Sequence, residues 1–104
     1  LEGNATKNKR IIPIFMHVQS AAQFEQLIWA CYPDVVKIDC EGCERFLSDV
    51  RSDIISMVPE YLVEVHRSNR VFNEIKEKFT SNNYEVSSYN YGYGTPVIVA
   101  KRSG

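Results

Sequence analysis

The sequence has no excess of either charge: twelve Lys and Arg stand against thirteen Asp and Glu, a formal net charge of −1. So balanced a chain has no general pull on nucleic acid or an anionic membrane surface, and neither is an expected partner. Long apolar runs are missing too; none approaches the roughly 20 residues that a membrane-spanning helix needs. The stretch from Ile11 to Val18 is broken by Pro13 and flanked by polar residues, so it does not read as a secretory signal. Cysteine is sparse and odd in number, at Cys31, Cys40 and Cys43. Reduced thiols in a cytoplasmic protein are the simplest expectation from that usage. There is no internal repeat, and no low-complexity tract beyond the turn around Tyr89, Tyr91 and Tyr93.

What is present is an ordinary globular composition. With 104 residues, 44% hydrophobic and 24% charged, the chain is long enough for one domain with one modest core. Residues 1–10 are polar and without periodicity, and are expected to form a flexible arm in which Lys7, Lys9 and Arg10 are solvated. Residues 11–104 are expected to form the domain. The first residue is Leu1, so the chain is read as a piece of a longer parent polypeptide.

Hydrophobic spacing supplies the elements. Ile11 to Val18 reads as a strand, and Pro13, which has no amide hydrogen, points to a sheet edge or a strand start. Ser20 with Gln23 makes a capping box, after which Phe24, Leu27, Ile28 and Cys31 recur on one helical face. Trp29 and Tyr32 fall off that face, and Pro33 ends the helix. Val35, Val36 and Ile38 form a buried strand; Phe46, Leu47, Val50 and Ile54 then mark a helical face, and a short helical piece runs from there to Pro59. Tyr61 to His66 is the next strand. Ser68 or Asn69 caps a helix that buries Val71, Phe72, Ile75 and Phe79, with Glu74 and Lys78 paired on its surface and Asn82-Asn83 at its stop. Tyr84 to Tyr89 and Pro96 to Ala100 make a hairpin around Tyr91-Gly92-Tyr93-Gly94. Such alternation predicts an α/β fold with parallel strands, right-handed helical crossovers and a C-terminal antiparallel hairpin.

Function is sought where the strand Val35–Ile38 ends. Asp39, Glu41 and Glu44 crowd that point, and in open α/β sheets the ligand crevice lies outside the carboxyl ends of the strands. Asp39 and Glu41 are two apart, so their side chains can emerge on one side and serve as bases or metal ligands. Capping and helix-dipole roles explain the same acids equally well. Glu64 and His66, also two apart, are expected at the end of the neighbouring strand, with His66 able to exchange a proton near neutral pH. Cys40-Glu41-Gly42-Cys43 has Cys-x-x-Cys form, but no second ligand pair exists, and no metal site is expected.

The run Lys37-Ile38-Asp39-Cys40-Glu41-Gly42-Cys43-Glu44 resembles the signature of the FkbM-type methyltransferase family, hydrophobic-Lys-Ile-Asp-x-Glu-Gly-x-Glu. A capped helix before it, Pro59 with Val63-Glu64-Val65-His66 after it, and Asn83-Tyr84-Glu85-Val86 match in order, so the likeness covers roughly residues 11 to 100. The resemblance implies a doubly wound, Rossmann-like class I fold that binds S-adenosylmethionine and methylates an oxygen or similar nucleophile. It implies catalytic roles for Asp39, Glu41, Glu64 and His66 toward a small-molecule or sugar-like hydroxyl. One part is missing: no strand followed by a Gly-x-Gly-type turn stands upstream of Asp39. The chain is therefore expected to represent the C-terminal portion of such a fold. Two readings follow, the acceptor side of a methyltransferase, or a non-catalytic α/β remnant that self-associates as a homodimer through an exposed sheet edge.

Overall fold

A computed structural model describes residues 11–14, 20–39, 43–65, 69–90 and 95–102. Strand β1 (Ile11–Ile14) leads to helix α1 (Ala21–Cys31), strand β2 (Val35–Ile38) and a 3₁₀ helix (Cys43–Asp49). The single-turn α2 (Ser52–Ile55), β3 (Glu60–Glu64), α3 (Asn69–Ser81), β4 (Tyr84–Asn90) and β5 (Pro96–Arg102) follow. The five-stranded sheet has the order β1-β2-β3-β5-β4. β1 with β2 and β2 with β3 are parallel, whereas β5 runs antiparallel to both β3 and β4. The expected hairpin is there, but its second strand returns between β3 and β4. As anticipated from Pro13, β1 lies at the sheet edge.

Local chemistry sets the boundaries. Ser20 is extended at φ −162°, and its hydroxyl accepts the Gln23 amide hydrogen at 3.3 Å, capping α1. The helix closes at Tyr32, left-handed at φ 47°, whose amide donates to the Ile28 carbonyl at 3.0 Å. Helix α3 stops in the same way at Asn83, φ 69°, a residue that tolerates that conformation well. Three expectations need correction. Cys31 is exposed, as the last residue of α1. The segment carrying Phe46 and Leu47 is a 3₁₀ helix, a tighter coil that still turns Leu47 and Val50 into the core. Glu74 pairs with Arg70 at 3.2 Å, one turn earlier than Lys78.

One apolar cluster unites Phe24 and Ile28 of α1, Leu47, Ile54 and Ile55, and Ile75 and Phe79 of α3 with Val36, Ile38, Tyr61, Val63, Ile98 and Ala100 of the strands. The strand residues in it occupy alternate positions, hence one face of the sheet. All the described helices therefore cover that single face, where a doubly wound sheet would be covered on both. The reason is directional: each parallel crossover steps the same way across the sheet, and crossovers of one hand then fall on one side.

The edge of the sheet at which β3 and β4 begin is fastened by buried phenols. Tyr61 donates to the Ile55 carbonyl at 2.8 Å, and the Tyr84 hydroxyl reaches the Ile55 and Val58 carbonyls at 2.6 and 2.5 Å. Arg102 adds its guanidinium on the Ser56 carbonyl and its amide on that of Pro59 at 2.8 Å. Carbonyls at and just beyond the end of α2 thus receive donors from three strands. Burial raises the Tyr61 phenol well above its ordinary value, helped by Tyr84. Burial pushes Tyr84 up to about 12, against the pull of Arg102. Folding favours both neutral phenols, so their contribution is complete below the unfolded value of about 10 and is lost as pH rises from there through 12. Thermal melts across that window should fall more steeply for the native chain than for Tyr84→Phe; parallel curves would contradict the assignment.

Candidate functional site

The register defines the carboxyl edge of the sheet. Ile14 stands beside Ile38, Ile38 beside Val63 and Val63 beside Ile98, while Asn90 faces Pro96. Four strands therefore leave the sheet on one edge, at Ile14, Ile38, Glu64 and Asn90. The edge is tied together by the Val65 amide, which donates to the Pro96 carbonyl at 3.0 Å.

The β2–β3 register ends with Ile38 beside Val63, and Asp39 and Glu64 are the residues that directly follow this pair. Adjacent strands are about 4.8 Å apart, so the two acids leave the sheet from neighbouring strand ends. Alternation gives them the same face. Tyr61, Val63 and Val65 are buried in the core, which turns Leu62 and Glu64 to the other side, and Lys37, opposite Leu62, shares it with Asp39. The acids thus stand at the carboxyl edge, on the face away from the helices. Both are half-buried. Glu64 is already engaged in an interaction of its own, whereas Asp39 has no hydrogen-bond or ion-pair partner among the described residues. Glu41 and His66 lie outside the described residues, as do His17, Cys40, Tyr91 and Tyr93.

Chemically, an accessible carboxylate beside a second, held carboxylate can accept a proton from a hydroxyl and orient it. Among the described residues no group of three or more His, Cys, Asp or Glu side chains converges to hold a metal ion. None of the described helices is long and apolar enough to cross a membrane. Two surface hollows lie elsewhere. One, of about 520 Å³, runs along α3 between Ser48 and Ser81; the other, of about 480 Å³, lies between α1 and α2 and takes in Trp29 and Arg51. Neither includes Asp39 or Glu64.

The phenol clamp was not legible as a functional unit from spacing, although Tyr61 and Tyr84 both fall at strand starts. Trp29 and Tyr32, off the buried face of α1, lie on the surface, 62% and 57% exposed, with ring centroids 6.4 Å apart. No family model matches the chain, and no curated protein or solved structure matches it.

Proposed function

We propose that this chain is the acceptor-side portion of an S-adenosylmethionine-dependent O-methyltransferase of the FkbM type, acting in the cytoplasm on a small-molecule or sugar-like hydroxyl. The observation that supports the reading is that Asp39, within the run that resembles the family signature, and Glu64 directly follow the paired residues Ile38 and Val63 at the carboxyl edge of two parallel strands. Asp39 takes the proton of the acceptor hydroxyl as its oxygen becomes a nucleophile, and Glu64 orients that hydroxyl. Glu41 and His66 belong to the same proposal by their positions in the sequence, two residues beyond each of these acids.

The cofactor, when bound, supplies an activated methyl group. None of the described residues is glycine, the residue that would allow such a ligand a close backbone approach, and no Gly-x-Gly-type turn stands upstream of Asp39 in the sequence. The chain alone is therefore expected to show no calorimetric binding of S-adenosylmethionine in the micromolar range. A micromolar dissociation constant would overturn the division into acceptor and cofactor sides. The activity itself is tested with the full-length product of the reading frame, by transfer of labelled methyl groups to a panel of hydroxylated acceptors. Failure to label any of them, with the cofactor demonstrably bound, would refute the function. The second reading, a non-catalytic module that self-associates, is favoured by one observation only, the exposed aromatic pair on α1.

A further inference from the structure

Strand β4 closes one end of the sheet, and it lacks the devices that usually blunt such an edge. It is seven residues long and contains no Lys, Arg or Pro. Its register with β5 is unbroken from Tyr84 to Asn90, so no bulge twists it away. Five of the seven residues are exposed. Among the described residues, no backbone hydrogen bond from Glu85 to Ser88 is made outside the β4–β5 ladder. Every second residue of an edge strand aims its N–H and C=O outward, and such a row is matched by another extended backbone. We infer that the occupant of this edge is β4 of a second copy, paired antiparallel about a two-fold axis through Ser87, so that two five-stranded sheets become one continuous sheet. At the other end β1 is four residues long and contains Pro13, so assembly stops at two copies.

Symmetry, strand length and charge together fix the axis. A two-fold rotation normal to the sheet makes identical strands antiparallel and keeps the helices of both copies on one face. Facing residues then share a face, so the two numbers of each pair have the same parity and the axis passes through a residue. With Ser87 on the axis all seven residues pair: Tyr84 with Asn90, Glu85 with Tyr89, and Val86 with Ser88. Moving the axis to Val86 or Ser88 leaves five residues paired, and at Val86 it also halves the distance between the two copies of Glu85. Glu85 is the only charged residue of the strand. About the Ser87 axis its two copies stand about 14 Å apart along the strands, beyond the screening length at physiological salt. Within its own chain Glu85 is opposite Lys101, and across the axis it faces the half-exposed Tyr89, whose phenol is a donor. Each carboxylate thus lies between a cation and a hydroxyl, and no like charges face. The edge is therefore complementary to itself, which favours a second copy over a foreign peptide. Glu64 lies two strands in from this edge and Asp39 three, so the pairing is independent of the catalytic reading.

Seven residues a side is small beside the roughly 20–30 of a standard interface, so the dimer is weak and should appear in sedimentation at roughly 200 µM. Ser87 is exposed in the single chain, so Ser87→Lys leaves the circular dichroism spectrum unchanged. At the axis it sets two ammonium groups against each other and should weaken the dimer at least tenfold. Ser87→Thr, neutral and strand-favouring, should leave the dimer intact. A disulfide reads the register separately. On mild oxidation Ser87→Cys should give an 87–87 link, identified by peptide mass spectrometry, because facing Cα atoms are about 4.5–5.5 Å apart. Glu85→Cys should give no 85–85 link across about 14 Å. A monomer at that concentration, a dimer indifferent to Ser87→Lys, or an 85–85 link in place of 87–87 would each overturn the inference.

Discussion

Phe79→Ala should lower the unfolding free energy by about 3–5 kcal/mol, the usual loss for a fully buried phenyl ring. Phe79 is completely buried in α3, with ring centroids 4.8 Å from Tyr61 and 5.4 Å from Tyr84. The cavity it leaves cannot readily collapse, because both tyrosines are tethered by their hydroxyls to the Ile55 and Val58 carbonyls. Moving either ring inward would break a buried hydrogen bond, which itself costs about 1–3 kcal/mol. Domains of this size hold only about 5–15 kcal/mol in total, so the variant should populate unfolded chains near 37 °C. Urea denaturation provides the measurement, with Phe72→Ala, half-buried on the same helix, as the milder comparison. Equal midpoints for the two variants would show that the aromatic cluster is not the anchor of α3.

The boundaries of α1 and α3 were legible because short-range chemistry decides them. Ser20 and Gln23 form a cap whose partners are three residues apart, and Asn83 adopts a backbone conformation that few residues accept. The sheet order was less legible. Nothing in the hairpin residues says whether β4 or β5 should pair with β3; that choice rests on long-range contacts such as Val63 with Ile98. Cys31 shows the limit of periodicity in another way. It keeps the spacing of a buried face, yet it is exposed at the last position of the helix, for burial needs a surface to pack against as well as the right angle.

The acids were found in sequence because they interrupt two apolar strands, a pattern with a physical meaning at a strand terminus. That the residues preceding Asp39 and Glu64, Ile38 and Val63, are paired is a register fact, and no local signal specifies it. The common face of the two acids, opposite the helices, likewise depends on all the crossovers falling on one side. The clamp at the other edge was hidden for the same reason: the Tyr84 hydroxyl meets the Ile55 carbonyl across 29 residues of sequence.

If the proposed function holds, Asp39→Asn should reduce methyl transfer about 10²–10⁴-fold, the range ascribed to a positioned general base. The substitution keeps the shape of the side chain and its place at the end of β2, but removes the negative charge and the ability to take a proton at neutral pH. Asp39 is half-buried without a hydrogen-bond or ion-pair partner among the described residues, so stability should stay within about 0.5 kcal/mol of the parent. An unchanged melting temperature with a collapsed turnover separates chemistry from folding. If Asp39 acts on the reacting hydroxyl, the loss appears in kcat while KM changes little, because the interaction matters most as the oxygen becomes negative. Glu64→Gln, which alters orientation and leaves the base in place, should cost less and should raise KM. Turnover by Asp39→Asn within twofold of the parent would remove this residue from the reaction, and with it the reason to regard the carboxyl edge of β2 and β3 as the place where the acceptor is held.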